Sequence, residues 1–373
     1  MKSSRIVWLA MFAMVAFVIV KTASADPIYS FTTINVPGAD ETAATGINNS
    51  GQIVGWFDIL NPLSIHGFLD TGGSFITMDV PGITSGATLS GINNGGQIVG
   101  AFSGAGGFAQ GFLDTGGSFS NIDVPGARST IARGINDSRQ IVGYYGSVGS
   151  VVSHGFLDTG GSFTTIDFPG GGDTNPIGIN NSGQIVGYYD DASGIHGFLD
   201  TAGSFTTIDF PGAYRTFAEG INNSGQIVGI YYMTPLSSGQ GFLDTGGSFT
   251  TIDYPGASFS GASGINDSGQ ILGEFGGSHG YLATPVATPE PPTLITLATC
   301  LVTVFGIAWY RQPGRTHHGN FGTRGTRLAR HHAGDLLARV AYRQSSRRQA
   351  VERCDGGRDS GESSGPDMIR NPS

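Results

Sequence analysis

One unit recurs six times through the middle of this chain, and that periodicity restricts its fold more than any other feature. The string GINNSGQIVG begins at Gly46, and relatives begin at Gly91, Gly134, Gly178, Gly220 and Gly264, at spacings of 45, 43, 44, 42 and 44 residues. A steady period of this size marks a repeat architecture built from one supersecondary unit per copy. A second element follows in each copy, as HGFLDTGGSF at His66 and relatives at Gln110, His154, His196, Gln240 and His279. A third, of the form TTIDFPG, ends at Gly82, Gly126, Gly170, Gly212 and Gly256, and its sixth copy stands ahead of all the others as YSFTTINVPG over Tyr29–Gly38. The last unit stops at HGYLATP without it. A linear stack has no reason to divide one unit between both ends. A ring does, because the first strand then completes the last sheet.

Each unit contains four strand-like pieces: the run into GIN, then GQIVGYY, HGFLDT and GSFTTIDFP. All are short, rich in Ile, Val, Phe, Thr and Tyr, and bounded by Gly, Asn, Asp or Pro. Asn48-Asn49-Ser50-Gly51 and Thr71-Gly72-Gly73 supply the positive-φ positions of tight hairpins. Adjacent apolar pairs such as Ile53-Val54 and Phe68-Leu69 put apolar groups on both faces of a sheet, so both faces need cover. Neighbouring blades of a propeller give that cover, with Gly55, Gly67 and their equivalents expected to let sheets approach closely. The sequence therefore predicts an all-β fold, a six-bladed β-propeller over residues 29–285 closed by an N-terminal strand. The 62 glycines among 373 residues agree, since they form no collagen triplet and leave little room for long helices.

Charge limits the partners. Residues 26–288 hold 21 acids against four arginines (Arg128, Arg133, Arg139 and Arg215) and no lysine, a net charge of -17. Such a surface repels phosphate backbones, which argues against nucleic acid as a partner. The only cysteines, Cys300 and Cys354, lie outside this segment, so its stability is expected to come from packing and hydrogen bonding without disulfides.

No HExxH, P-loop or Cys-His arrangement occurs. His66, His154, His196 and His279 share one register, with Gln110 and Gln240 in the other two copies. Four histidines in a central channel could hold a metal or move protons, but the exchange with glutamine favours a hydrogen-bonding group at a strand start. Asp70, Asp114, Asp158, Asp200 and Asp244 precede a turn, and Asp79, Asp123, Asp167, Asp209 and Asp253 stand two residues before Pro-Gly. Paired acids can cleave glycosides or bind calcium, whereas five copies of each point to carboxylates accepting turn N–H groups. No cofactor is expected, with calcium kept as the one candidate. A site needs different groups converging, so positions that break the sixfold pattern carry more weight. Trp56 stands where other copies have Ala101, Tyr144, Tyr188, Ile230 and Glu274, and Arg133 and Glu219 precede GIN where others have Thr45, Ser90, Ile177 and Ser263. Aromatic rings on a rim can stack on sugars, which makes Trp56, Tyr144 and Tyr188 the candidate ligand-binding residues; ordinary packing between blades is their other reading.

The ends read as address labels. Lys2 and Arg5, an uncharged run Ile6–Val20 and then Ala23, Ser24 and Ala25 form the pattern of a cleaved signal peptide over residues 1–25, its apolar run about 22 Å long as a helix. Thr293–Tyr310 is uncharged and about 27 Å long as a helix, enough to cross a bilayer, and Arg311 follows directly. Pro289-Glu290-Pro291 precedes it across a proline-rich linker, 286–292. This order of proline-acid-proline, membrane helix and arginine resembles the PEP-CTERM sorting signal of Gram-negative bacteria. The resemblance implies processing by an exosortase and a setting of exopolysaccharide production. Residues 311–373 depart from that pattern by continuing as a basic tail, expected to be disordered. The repeat itself, GINNSGQIVGYY followed by HGFL, is similar to the HAF repeat of bacterial extracellular proteins. That likeness implies an exported protein in the cell envelope or outside it, and no particular reaction. The readings that follow are a non-enzymatic envelope or matrix protein with a binding or structural role, its ligand polysaccharide or another surface component; an extracellular carbohydrate-active hydrolase or lyase; or a structural spacer with no ligand.

Overall fold

The computed structural model describes residues 28–60, 63–83, 86–104 and 106–286. The expected signal segment with Ala23 and Ala25, the Pro289-Glu290-Pro291 motif, the apolar run 293–310, Arg311 and the tail lie outside the described residues. Among the described residues no helix is long and apolar enough to cross a membrane, and the regular structure is entirely strand.

The strands form antiparallel four-stranded groups in chain order. After β1 (Ile28–Ile34) come β2 (Glu41–Ile47), β3 (Gln52–Leu60), β4 (Leu63–Thr71) and β5 (Ser74–Met78). The next group is β6 (Ala87–Ile92), β7 (Gln97–Ser103), β8 (Ala109–Thr115) and β9 (Ser118–Ile122), followed by β10 (Ala127–Ile135), β11 (Gln140–Ser147), β12 (Ser153–Thr159) and β13 (Ser162–Ile166). Then come β14 (Thr174–Ile179), β15 (Gln184–Asp191), β16 (Gly194–Thr201) and β17 (Ser204–Ile208), and after them β18 (Arg215–Ile221), β19 (Gln226–Tyr232), β20 (Gln240–Thr245) and β21 (Ser248–Ile252). A single parallel bridge, Ile195 to Arg215, joins these two groups into one eight-stranded sheet. The last described strands are β22 (Ser260–Ile265), β23 (Ile271–Phe275) and β24 (His279–Val286), whose fourth strand is β1. β1 runs antiparallel to β24 from Ile28 opposite Val286 to Ile34 opposite Gly280. The unit divided in the sequence is thus reunited in the fold.

The turn chemistry follows from the repeat. Asn48 Oδ1 accepts the N–H groups of Ser50 and Gln52 at 3.1 and 3.0 Å, and Gly51 takes φ 76°. Asp70 Oδ1 accepts Gly73 N–H at 2.7 Å, and the same bond recurs from Gly117, Gly161, Gly203 and Gly247 to Asp114, Asp158, Asp200 and Asp244. Side chains of this kind fix a hairpin locally.

The buried asparagines also tie each unit to the next. Asn48 Nδ2 donates to Asn93 O, Asn93 to Asn136 O, Asn136 to Asn180 O, Asn180 to Asn222 O, Asn222 to Asn266 O, and Asn266 back to Asn48 O, all at 3.1–3.2 Å. A second, exposed circle lies beside it. There the N–H of Asn49, Asn94, Asp137, Asn181, Asn223 and Asp267 each reaches the next side-chain oxygen at 2.8–2.9 Å, ending with Asp267 on Asn49. Both circles close. The GIN glycines abut inside them, so that a methyl group on any one would stand 3.1–3.9 Å from the next glycine's Cα.

Apolar clusters fill the space between adjacent groups, as the double-faced apolar pairs require. Val54 packs with Leu89 and Phe112, Val142 with Ile179 and Phe198, and Leu272 of the last group with Ala44 and Phe68 of the first. Gly67 meets the neighbouring group as expected, because a methyl group there would stand 2.7 Å from Leu89 Cγ. Gly55 has a different reason, and that expectation is corrected: its added carbon would lie 2.0 Å from Ala43 O within its own sheet. The result is a propeller-like all-β arrangement.

Replacing Asn136 with Ala removes the bonds to Asn180 O and Gln140 Oε1 and leaves the N–H groups of Ser138 and Gln140 without their acceptor. We expect Asn136→Ala to lower stability by about 2–4 kcal/mol. Denaturant unfolding against wild type measures it, and a loss below about 1 kcal/mol would refute the role assigned to the circle.

Candidate functional site

Each group carries a β-bulge at the same place. Pairing of its first two strands slips between Ala44 and Gly46, Leu89 and Gly91, Ala132 and Gly134, Pro176 and Gly178, Ala218 and Gly220, and Ala262 and Gly264. The extra residues are Thr45, Ser90, Arg133, Ile177, Glu219 and Ser263, the position just before GIN in the sequence. A bulge turns its extra side chain out of the ladder. All six line an axial cavity of about 130 Å³. A narrower one of about 70 Å³ lies at the asparagine end.

Two bulges are satisfied structurally. Thr45 Oγ1 donates to Leu89 O at 2.8 Å, and Ser263 Oγ donates to Ala44 O at 2.7 Å, so each hydroxyl stitches one group to the next. Arg133 and Glu219 break this pattern and bring charge into the axis. Tyr144, opposite Ile131 on β11, lies under the Arg133 guanidinium with 5.7 Å from Cζ to the ring centroid. The buried Arg133 Nε has no acceptor among the described residues. Tyr188, opposite Asn175 on β15, rests edge-on against Phe217 at 4.9 Å.

Their electrostatics are coupled. Burial, with Tyr144 and Glu219 adding to it and Arg133 opposing, pushes the Tyr188 phenol up to about 12. Burial also raises the Glu219 carboxyl above its ordinary range; Arg133 opposes that shift and Glu274 adds to it. Glu274, opposite Gly261 on β23, is raised by burial and by Glu41. Tyr232 is raised by burial and by Glu274 and Glu219. Arg133, Glu219 and the phenols Tyr144 and Tyr188 are thus coupled to one another, and Glu274, Glu41, Tyr232 and Arg215 are linked to them in turn.

Of the three aromatic candidates, the structure brings Tyr144 and Tyr188 together around Arg133 and Glu219. Trp56 holds the same register opposite Ala43 but lies three repeats from Tyr188, half-buried. The histidines line neither axial cavity. His66, His154 and His196 instead place Nδ1 at 2.9, 3.0 and 2.9 Å from Asp79, Asp167 and Asp209, while His279 meets Asn35 at 3.2 Å. The reading of those three aspartates as acceptors of turn N–H groups is therefore corrected: the partner is the histidine on the adjacent strand. Among the described residues no three His, Cys, Asp or Glu side chains are placed to hold a metal ion. Sequence reasoning did not single out Glu41 and Tyr232, which join the cluster through their coupling with Glu274.

No protein-family model and no curated protein matches the chain. Among solved structures it is similar to a catalytically inactive virginiamycin B lyase from Staphylococcus aureus with quinupristin, at 12% identity and TM-score 0.42, over 69% of this chain and 100% of that one. It is also similar to a gluconolactonase from Xanthomonas campestris (12% identity, TM-score 0.43, 69% of this chain and 90% of that one). A third is the β-propeller domain of the Trilobed protease from Pyrococcus furiosus (13% identity, TM-score 0.41, 68% and 85%).

A carboxyl whose pKa is raised in the folded state adds stability below its unfolded pKa and loses that contribution as pH rises through the folded value. Glu219 is such a group. Glu219→Gln is expected to raise the melting temperature at pH 8, to change it little at pH 4, and to flatten the dependence between. A variant that melts below wild type at pH 8 would show instead that ionised Glu219 stabilises the ring.

Proposed function

We propose that this protein is an exported six-bladed β-propeller of the HAF-repeat type, sorted by a PEP-CTERM signal and exosortase processing, that binds polysaccharide at the bulge end of its axis without cleaving it. The observation that carries the reading is the meeting of Tyr144 and Tyr188 with Arg133 and Glu219 in an otherwise repetitive ring. Aromatic faces stack on the apolar faces of sugar rings, and the charged and hydroxyl groups beside them supply directional bonds. The export reading rests on the two terminal segments. Intact mass of the protein from its native envelope would detect loss of residues 1–25 and cleavage near Pro289.

A second reading is a carbohydrate-active hydrolase or lyase, favoured by Glu219 and Glu274 sharing the site with both carboxyls held above their ordinary range. One protonated carboxyl and one ionised group are what glycoside cleavage needs. Release of reducing ends or unsaturated products from the host polysaccharide, abolished in Glu219→Gln, would favour it over simple binding.

For the binding reading, Tyr188→Ala removes one stacking face worth about 1 kcal/mol. A five- to tenfold weaker Kd for the bound polysaccharide is expected by titration calorimetry. Unchanged affinity in both Tyr188→Ala and Tyr144→Ala would exclude this end of the axis as the site.

A further inference from the structure

Resting on the saccharide-binding reading, we infer that Arg133 is a carboxylate clamp and that the ligand is an acidic saccharide of the uronic-acid class. Arg133 lines both the axial cavity and an adjoining cavity of about 270 Å³ whose walls include Ser90, Ile131 and Tyr144. It is the arginine that lines both cavities, in a segment with 21 acids and four arginines. The other three line neither cavity: Arg128 lies over Phe108 at 4.2 Å, Arg215 lies over Tyr214 at 5.1 Å and acts on Tyr232, and Arg139 Nε donates to Gln97 Oε1 at 3.2 Å. Arg133 Nε, by contrast, is buried without an acceptor, and among the described residues no carboxylate stands within ion-pair distance of the guanidinium.

A buried guanidinium donor without an acceptor is costly, and its planar fork of N–H groups matches a carboxylate better than any neutral sugar hydroxyl. Ser90 and Tyr144 place hydroxyls on the same cavity wall. Carboxylate recognition beside hydroxyl recognition describes a uronate ring. The titratable groups coupled to Arg133 are Tyr144, Tyr188 and Glu219, with Glu274, Tyr232, Glu41, Asp173 and Arg215 linked to these in turn. Ionised Glu219 and Glu274 repel an anionic ligand, so affinity for the acidic sugar should rise as pH falls from 8 to 5, while the sugar carboxylate stays charged.

The test is titration of the purified full-length protein with a galacturonate tetrasaccharide and with the same tetrasaccharide after reduction of its carboxyl groups. The acidic form is expected to bind at least tenfold more tightly, and more tightly at pH 5 than at pH 8. Arg133→Gln should bring the two probes to equal affinity, and Arg133→Lys should keep part of the difference. Equal binding of both probes by the wild type overturns the clamp and leaves the saccharide reading standing. Retention of the acidic preference in folded Arg133→Gln does the same. Binding of neither probe, with the protein folded by circular dichroism, removes both readings. The comparison of the two probes on wild type decides the matter even if the variants fail to fold.

Discussion

The structure depends on one side-chain amide per repeat. Each buried asparagine of the GIN turn uses its oxygen to hold its own hairpin and its nitrogen to reach the main-chain carbonyl of the following unit. Local turn and inter-unit contact are therefore one element of sequence, and neither forms fully without the other. Because Asn266 donates back to Asn48, the interaction fixes a closed number of units rather than an open series. Buried amides are tolerated here because every bond they need is made by a neighbour in fixed geometry.

Closure also explains the glycine content at the axis. Six strands converging on one line leave no room for side chains at the GIN glycines, whose Cα atoms face the next glycine. The same crowding sets the bulge that precedes each of them. The ladder slips by one residue, and the extra side chain is the one position near the axis free to vary. Thr45 and Ser263 use that freedom for further stitching. Arg133 and Glu219 use it to place charge where the ring has no structural need of it.

At the opposite end the two aspartates of the exposed circle are fully engaged. Asp137 Oδ2 accepts from Asn94 and Asn181 at 2.8 and 2.7 Å, and Asp267 Oδ2 accepts from Asn49 and Asn223 at 2.6 and 2.8 Å. Burial works against their ionisation, but these bonds outweigh it and hold both carboxyls below their ordinary values. The ring therefore has a polar end saturated by its own bonds and a bulge end where the Arg133 Nε still lacks an acceptor.

Much of this was legible in the chain itself. The period, the four strands per unit, the aspartates of the Thr-Gly turns and the divided unit all follow from local patterns, because hairpin turns and strand alternation act over a few residues. The pairing of β1 with β24 could be read from the one element missing at the end of the repeat region. The histidine–aspartate pairs and the bulge were not legible, since both depend on the register between strands, which no single strand encodes. Deviation from the repeat marked Trp56, Tyr144, Tyr188, Arg133, Glu219 and Glu274 as unusual, but that list carries no geometry. Only the closed ring decided that Arg133 on β10 and Glu219 on β18 share one space, because convergence on the axis brings together residues that the chain separates by whole repeats.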